Sequence, residues 1–195
     1  MARDLKFEKA IHRIDLENSK DPNQENFEGN QYPKELLYSQ RMTEKFLEFN
    51  PNASKELQIA ARAQHICRWE ISRGEYTMDR VGYLKWREEL KKMHAKKTSI
   101  ILEKVGYNKD FINRVSFLIQ KKLLKKDEES QEMEDVVCLV FLQYYFEDFA
   151  VKHTDEKIID IVKKTWVKMS DKGHDAALKL NYSPKSLSLI QKALA

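Results

Sequence analysis

The sequence predicts an all-α protein, and three features lead to that class. Leu, Lys, Glu, Ile and Ala, which favour helices, dominate the chain, and only 5 Gly and 4 Pro are present. Apolar residues recur with the helical period in most segments. Capping residues, Gly and Pro mark the ends of these segments and divide the chain into about eight or nine helices. A chain of 195 residues can bury one substantial core, so we expect a single compact helical domain over 1–195.

The first half of the chain is predicted to hold four helices. The first covers residues 3–18, and the polar stretch SKDPNQENFEGNQ after it is predicted to be a loop. Pro33 suits the first turn of a second helix that runs to Phe49. A third helix is predicted at about 54–71 and a long fourth at about 80–104, where the glycine of KVGY is placed to end it.

The second half is predicted to hold five more helices. A fifth covers about 109–124, and the charged run KKDEESQE leads into a sixth that contains VVCLVFLQYYF. Because that run is apolar on every side, the sixth helix should be central. Thr154 and Ser170 suit the N-caps of a seventh and an eighth helix, and the Ser-Pro pair at 183–184 suits the start of a last one.

The apolar stretches and the cysteines indicate the cellular setting. No charge-free apolar stretch approaches the roughly 18–20 residues of a membrane span. The segment MARDLKFEKA has no apolar middle of the kind found in signal peptides. Cys67 and Cys138 both fall in apolar helical runs, as buried thiols do in a reducing compartment. We therefore expect a cytoplasmic protein that does not bind a membrane.

The net charge of +4 is concentrated in one segment. Residues 62–97 hold ten Lys and Arg against five acidic residues, so this segment carries +5 and the rest of the chain −1. Such a local surplus argues against a general nucleic-acid coat. It indicates a small anionic ligand or one docking face, and leaves the oligomeric state open.

The stretch AARAQHICRWEISR at 60–73 supplies the first candidate site residues. His65 and Arg68 lie three apart in the predicted third helix and share a face. A guanidinium beside an imidazole keeps the ring neutral, as a base or a hydrogen-bond partner. The alternative is a core histidine satisfied by a backbone carbonyl, with Arg68 reaching solvent.

The stretch RVGYLKWREELKKMH supplies a second group of candidates. Tyr83, Trp86, Arg87 and His94 recur at helical spacing, so aromatic rings, a guanidinium and an imidazole are neighbours. Together with Arg68 and Arg73 they suit a phosphorylated or nucleotide-like molecule, because Arg binds phosphate and aromatic rings stack on bases. The alternative is that the aromatic residues belong to the core face of the helix.

Further candidates lie around the sixth helix. Glu134 and Asp135, near the predicted start of that helix, are candidates for a shielded carboxylate site. The alternative for Asp135 is a structural role, because a carboxylate in the first turn of a helix is stabilised by the helix dipole. The KKLLKK run before the sixth helix is typical of solvated surface. Lys122 is the exception, because it comes late in a helix and close in sequence to Asp135.

Three segments resemble a known family. AARAQHICRW, WREELKKMHAKKTSIILEKVGY and EMEDVVCLVFLQYYFEDFA resemble the bacterial and fungal domain-of-unknown-function family 4202. The likeness covers nearly the whole chain, including DPN at 21–23 and PKELLYSQRM at 33–42. This family implies no particular activity.

The order of these segments also resembles, more distantly, the HD superfamily of metal-dependent phosphohydrolases. That resemblance implies an HD-domain-like bundle and a divalent metal held by His65, His94 and Asp135. The set is incomplete, because Ile66 stands where the Asp of the His-Asp pair is expected. The segment LLYSQRMTEKF offers Tyr38 or Ser39 in place of the first His.

Two functions follow from these residues. The first is a hydrolase acting on a phosphorylated or nucleotide-like small molecule. In it His65 and His94 serve as ligands or acid–base groups, and Asp135 orients or ligates. Arg68, Arg73, Tyr83, Trp86, Arg87 and Lys122 then bind the substrate. The second is a non-catalytic protein that binds an anion or a protein partner through a degenerate HD-like site.

Overall fold

The computed structural model describes residues 4–195, and within them the fold is mostly helical, as the sequence predicts. This range holds ten α-helices and one short antiparallel hairpin. The chain divides into two compact units, the first ending at Lys122 and the second covering Leu123–Ala195. The single domain expected over 1–195 stays a prediction. Among residues 4–195, no helix combines the length and apolar character that crossing a membrane requires.

Five helices and the hairpin build the first unit. The helices are α1 (Leu5–Asn18), α2 (Lys34–Phe49), α3 (Lys55–Arg62), α4 (Arg80–Val105) and α5 (Lys109–Ile119), and strands β1 (Gln24–Phe27) and β2 (Asn30–Pro33) separate α1 from α2. Helix α3 packs against α2 and α5, and α4 packs against α1 and α5. Met42, Phe46, Leu57 and Leu102 are buried between these helices, so the core of the unit lies among α2, α3 and α4.

The hairpin replaces part of the predicted loop, so that part of the prediction was wrong. Glu28 and Gly29 have φ of 51° and 81°, and two successive positive φ values suit a two-residue type I′ turn. The guanidinium of Arg41 lies over the Phe27 ring, 4.7 Å from its centre, and pairs with Glu25. These contacts hold the hairpin against α2.

Helix α3 ends at Arg62 rather than near residue 71. The chain then turns through Cys67, which has a left-handed φ of 54°. The side-chain oxygen of Asn18 accepts a hydrogen bond from the amide of Cys67 at 3.1 Å. A tertiary hydrogen bond thus takes the place of a helical one, so His65 lies on an irregular turn and not on a helix.

The fourth and fifth helices begin as the sequence predicts. Asp79 caps α4 by accepting from the amide of Gly82, and Gly106 ends it with a φ of 92°. Helix α5 stops at Ile119 instead of continuing to 124. The reason is Lys121, which adopts a left-handed φ of 52° in the position after a helix that glycine usually takes.

Five helices build the second unit. They are α6 (Glu128–Val140), α7 (Phe146–Lys152), α8 (Asp155–Trp166), α9 (Asp171–Ala177) and α10 (Pro184–Leu194). Ser170 and Ser183 cap α9 and α10 through their side chains, as predicted, whereas Thr154 precedes α8 without a side-chain cap. The apolar sixth helix continues through a π-helical segment at Phe141–Tyr145, which joins α6 to α7.

Candidate functional site

His65 contacts a polar residue through each ring nitrogen. Nε2 is hydrogen-bonded to Nη1 of Arg68 at 3.1 Å, and Nδ1 lies 3.2 Å from Oε2 of Glu35. Because a guanidinium only donates, Nε2 must accept, and the ring proton of the neutral imidazole is on Nδ1, facing the carboxylate. The Tyr38 ring stacks on the imidazole, with ring centres 4.1 Å apart and planes inclined by 11°. The imidazole is therefore fixed in both position and tautomer.

The charges around His65 oppose its protonation. Burial is the largest cause, followed by the positive charges of Arg68, Lys121 and Arg87, and together they hold the pKa of His65 well below its usual range. The imidazole side chain is 23% exposed, so the ring is largely shielded from water. His65 is thus a neutral imidazole in a positive environment.

Glu35 belongs to the first turn of α2, and its side chain is buried. Its amide donates to Oδ2 of the buried Asp21 at 2.9 Å, which fixes the start of the helix. Burial raises the pKa of Glu35, and the charges of Arg68 and Lys34 offset only part of that effect. A buried carboxyl beside an imidazole is the arrangement that orients a histidine for proton transfer.

His94 of α4 holds the turn that carries His65. Its Nδ1 lies 2.7 Å from the carbonyl oxygen of Ile66 and must donate to it. Its Nε2 is then an acceptor, and it has no hydrogen-bond partner among the described residues. Burial and the neighbouring His65 lower the pKa of His94 to about 3. The sequence offered, as an alternative for His65, a core histidine that is hydrogen-bonded to a backbone carbonyl. The structure has that arrangement at His94 instead.

Arginine and aromatic side chains form a face beside this pair. The guanidinium carbons of Arg68 and Arg73 lie 4.8 and 6.0 Å from the centre of the Trp86 ring, and that of Arg87 lies 5.7 Å from the Tyr83 ring. Tyr83 is exposed and Trp86 is half-buried, so the aromatic residues do not form a core face of α4. The structure thus brings together five of the six residues predicted to bind the ligand.

The three arginines differ in what they contact. Arg73 donates to the carbonyls of Tyr76, Thr77 and Asp79, and so holds the loop before α4. Arg87 donates to the Tyr83 hydroxyl at 3.4 Å. Arg68 is the one whose guanidinium contacts the His65 imidazole.

Asp135 and Lys122 make none of the contacts described above for the His65 cluster. Asp135 belongs to α6 of the second unit, where its carboxylate accepts from the amide and hydroxyl of Ser170 at 2.8 and 2.6 Å. It also accepts from the side-chain amide of Gln131 at 3.0 Å. Lys122 is exposed at the end of the first unit. The roles predicted for both residues stay predictions.

Two of the three residues predicted to hold a divalent metal, His65 and Asp135, accept hydrogen bonds within the protein. Arg68 uses the single lone pair of His65, and both oxygens of Asp135 accept hydrogen bonds. Within residues 4–195, no group of three or more His, Cys, Asp or Glu is arranged to hold a metal ion. The metal assignment of His65, His94 and Asp135 stays a prediction that this geometry does not support.

Glu35 is the site residue that the sequence reasoning missed. A signal was present, because Glu35 shares the helical face of Tyr38 and Met42, three and seven residues further on, and both are buried. A carboxylate on a buried helix face requires a polar partner. The resemblance to the HD superfamily gives Tyr38 only as a residue in place of a metal ligand. In the structure, its ring stacks on the His65 imidazole.

Comparison with known proteins gives one match. The model of a family described as a domain of unknown function (DUF4202) matches residues 8–190, which is most of the chain. No curated protein and no solved structure matches the chain. The resemblance to the HD superfamily therefore gains no support.

Proposed function

The chain belongs to the DUF4202 family, and we propose that its first unit binds and hydrolyses a phosphorylated or nucleotide-like small molecule at the His65 site. The observation that carries this proposal is the placement of His65 between Glu35 on one ring nitrogen and Arg68 on the other. A histidine oriented by a carboxylate is a general base, and an adjacent guanidinium binds phosphate.

The pair supplies the proton transfers of a hydrolysis. As a water oxygen attacks the phosphorus of a bound ester, one water proton passes to Nε2 of His65. The bond from phosphorus to the ester oxygen on the opposite side breaks, that oxygen takes a proton from solvent, and the imidazolium then returns its proton to solvent. Glu35 lies against Nδ1–H, where its carboxylate stabilises the positive charge that the ring carries between these two transfers.

The surroundings support an anionic ligand. Arg68, Lys121, Arg87 and Lys34 all act on His65 as positive charges, so the potential at the ring attracts an anion. The half-buried Trp86 offers a flat surface beside Arg68 on which a base can stack. A nucleotide combines both requirements.

A second candidate function is binding without catalysis. Arg68 uses the only lone pair of His65, which favours a protein that recognises an anion without transferring a proton. Product formation separates the two candidates, since binding is common to both.

A cytoplasmic location is part of the proposal. Cys67 and Cys138 are buried and form no disulfide among residues 4–195, and burial raises the pKa of the Cys67 thiol to about 11. Cysteines that stay out of disulfides support a reducing compartment.

The test is isothermal titration of the wild-type protein with a panel of phosphorylated metabolites and nucleotides, followed by ³¹P NMR of the compounds that bind. Removal of a charge-assisted contact in Arg68→Ala is expected to weaken binding about 10- to 100-fold. His65→Gln is expected to bind the compound and release no product. Phosphate release by the wild type that His65→Gln lacks supports hydrolysis.

Arg80→Ala is the matched control, because Arg80 is an exposed arginine at the start of α4. Its affinity is expected to stay within about twofold of wild type. If no phosphorylated compound in the panel binds the wild type, the proposed function is wrong. Binding without product from the wild type selects the second candidate.

A further inference from the structure

Arg68 contacts the half-buried His65 and the buried Glu35 and is itself partly exposed. Its Nη1 lies 3.1 Å from Nε2 of His65, and its Nε lies 3.9 Å from Oε1 of Glu35. The side chain is 31% exposed, and its guanidinium rests on the Trp86 ring. Two nitrogens of the guanidinium therefore face the pair, while the side chain remains partly exposed.

The bond from Arg68 to His65 prevents the imidazole from acting as a base. A neutral imidazole has one lone pair, and here that lone pair, on Nε2, accepts from Arg68. A proton cannot bind at Nε2 until this hydrogen bond breaks. The adjacent positive charge adds to the effect, because it lowers the pKa of His65.

Two of the contacts that orient the ring are made by residues other than Arg68. Tyr38 stacks on the imidazole, and Glu35 lies against Nδ1. The guanidinium itself contacts the ring only at Nε2. Departure of Arg68 alone would therefore expose a base that is already oriented.

An anionic group is the ligand chemistry best suited to displace this guanidinium. Arg presents five N–H donors, and phosphate or carboxylate oxygens accept two at once in short, charge-assisted bonds. Such bonds are stronger than a bond to a neutral imidazole nitrogen. A neutral ligand offers no comparable exchange.

We propose that Arg68 determines specificity at this site by masking His65 until an anionic group of the ligand takes its guanidinium, so that the base is released only in the anion complex. The proposal rests on the proposed function, because it requires an anion to bind at this site. It also explains how one arrangement supports both binding and proton transfer. A neutral analogue that enters the site leaves the base masked.

The experiment is ¹⁵N NMR of the histidine rings in the full-length protein, with inorganic phosphate, pyrophosphate and adenosine monophosphate as probes. His65→Gln identifies the His65 signals by their loss. In the free wild type, His65 is expected to stay neutral with its proton on Nδ1 across about pH 5 to 8. A probe that binds is expected to shift the Nε2 signal and raise the pKa of His65.

Two variants separate displacement of Arg68 from a direct effect of the anion's charge. Arg68→Ala without any probe is expected to give the Nε2 signal of the anion-bound wild type. Arg80→Ala, the matched loss of an exposed arginine, is expected to keep the signal of the free wild type. Adenosine, which is neutral, is expected to leave the His65 signals unchanged.

Three results would overturn the masking role. A probe that binds while Nε2 keeps its free-state signal refutes the masking role and leaves the proposed binding function standing. An unchanged His65 signal in Arg68→Ala refutes it as well, since Arg68 then does not control the ring. Failure of every probe to bind refutes this inference, because no anion then displaces Arg68, whereas the proposed function is refuted only if the wider phosphorylated panel also fails to bind.

Discussion

Glu35 is a buried carboxyl whose surroundings disfavour its charge. Burial raises its pKa, and the charges of Arg68 and Lys34 compensate only in part. The side chain is 9% exposed, so water screens little of this effect. A charge placed where it costs stability is typical of a functional residue. Glu35 therefore offers a direct test of whether the His65 site is built for function or for stability.

We predict that Glu35→Gln raises the free energy of unfolding near pH 7 by about 0.5–2 kcal/mol and abolishes proton transfer by His65. The folded-state pKa lies above the ordinary value of 4.5, so the stability that protonation contributes is complete below pH 4.5 and is lost as pH rises through the folded pKa. Glutamine has no such loss. The gain should thus be absent below pH 4.5 and full at pH 7, as urea unfolding from pH 4 to 8 would measure.

Glu88→Gln is the matched control for this substitution. Glu88 is exposed and pairs with Lys91 at 3.9 Å, so its replacement should change the free energy of unfolding by less than about 0.5 kcal/mol. A Glu35→Gln protein less stable than wild type at pH 7 would mean that the carboxylate stabilises the fold through Arg68. The argument from burial would then be wrong.

The sequence predicts the polar residues of this site better than their partners. His65 and Arg68 stand out because an imidazole and a guanidinium interrupt an apolar run, and their contact at 3.1 Å is found in the structure. Glu35 could not be paired with His65 in the same way, because a helical period gives the face of one helix and not which face lies opposite it. The turn at His65 was missed for a similar reason, since it is held by Asn18 and His94 from distant segments.

The junction of α6 and α9 depends on a close approach of backbone and carboxylate. Asp135 accepts from the amide and hydroxyl of Ser170, the residue that caps α9. A Cβ atom added to Gly173 would lie 2.7 Å from Oδ1 of Asp135, shorter than ordinary van der Waals contact. Glycine is required at this position because there is no space for a Cβ atom. The backbone conformation itself does not require a glycine. Asp135 thus has a structural role that the sequence allowed for but did not locate.

We predict that Gly173→Ala lowers the free energy of unfolding by about 1–3 kcal/mol, because the added methyl group must displace the carboxylate or the start of α9. Gly74→Ala is the control, since its Cβ would meet no atom closer than 3.5 Å. It should cost less than about 1 kcal/mol. Urea unfolding of both variants measures the difference, and equal losses would show that the contact with Asp135 is relaxed at little cost.

The arginines of the positive segment 62–97 make different contacts in the structure. Arg73 is occupied by the carbonyls of its own loop, and Arg68 is bonded to His65. Arg87 acts on His65 through its charge, and its hydrogen bond is to Tyr83. Two residues of this segment, Arg68 and Arg87, thus place positive charge beside His65 in the first unit. Composition predicts an anionic ligand, whereas the structure indicates which imidazole these two charges surround.

The dependence of binding on salt tests whether this surplus acts as a field. We predict that raising the ionic strength from about 0.1 M to about 1 M weakens pyrophosphate binding by at least about tenfold, because the screening length falls from about 10 Å to about 3 Å.

Arg87 affects His65 through space, so Arg87→Ala should weaken binding at low salt and flatten the salt dependence. Adenosine, which carries no charge, should bind within about twofold at both salt concentrations. Isothermal titration measures all three. Salt-independent binding of pyrophosphate would mean that the ligand is held by direct contacts alone, and that the charge of residues 62–97 plays no part in attracting it.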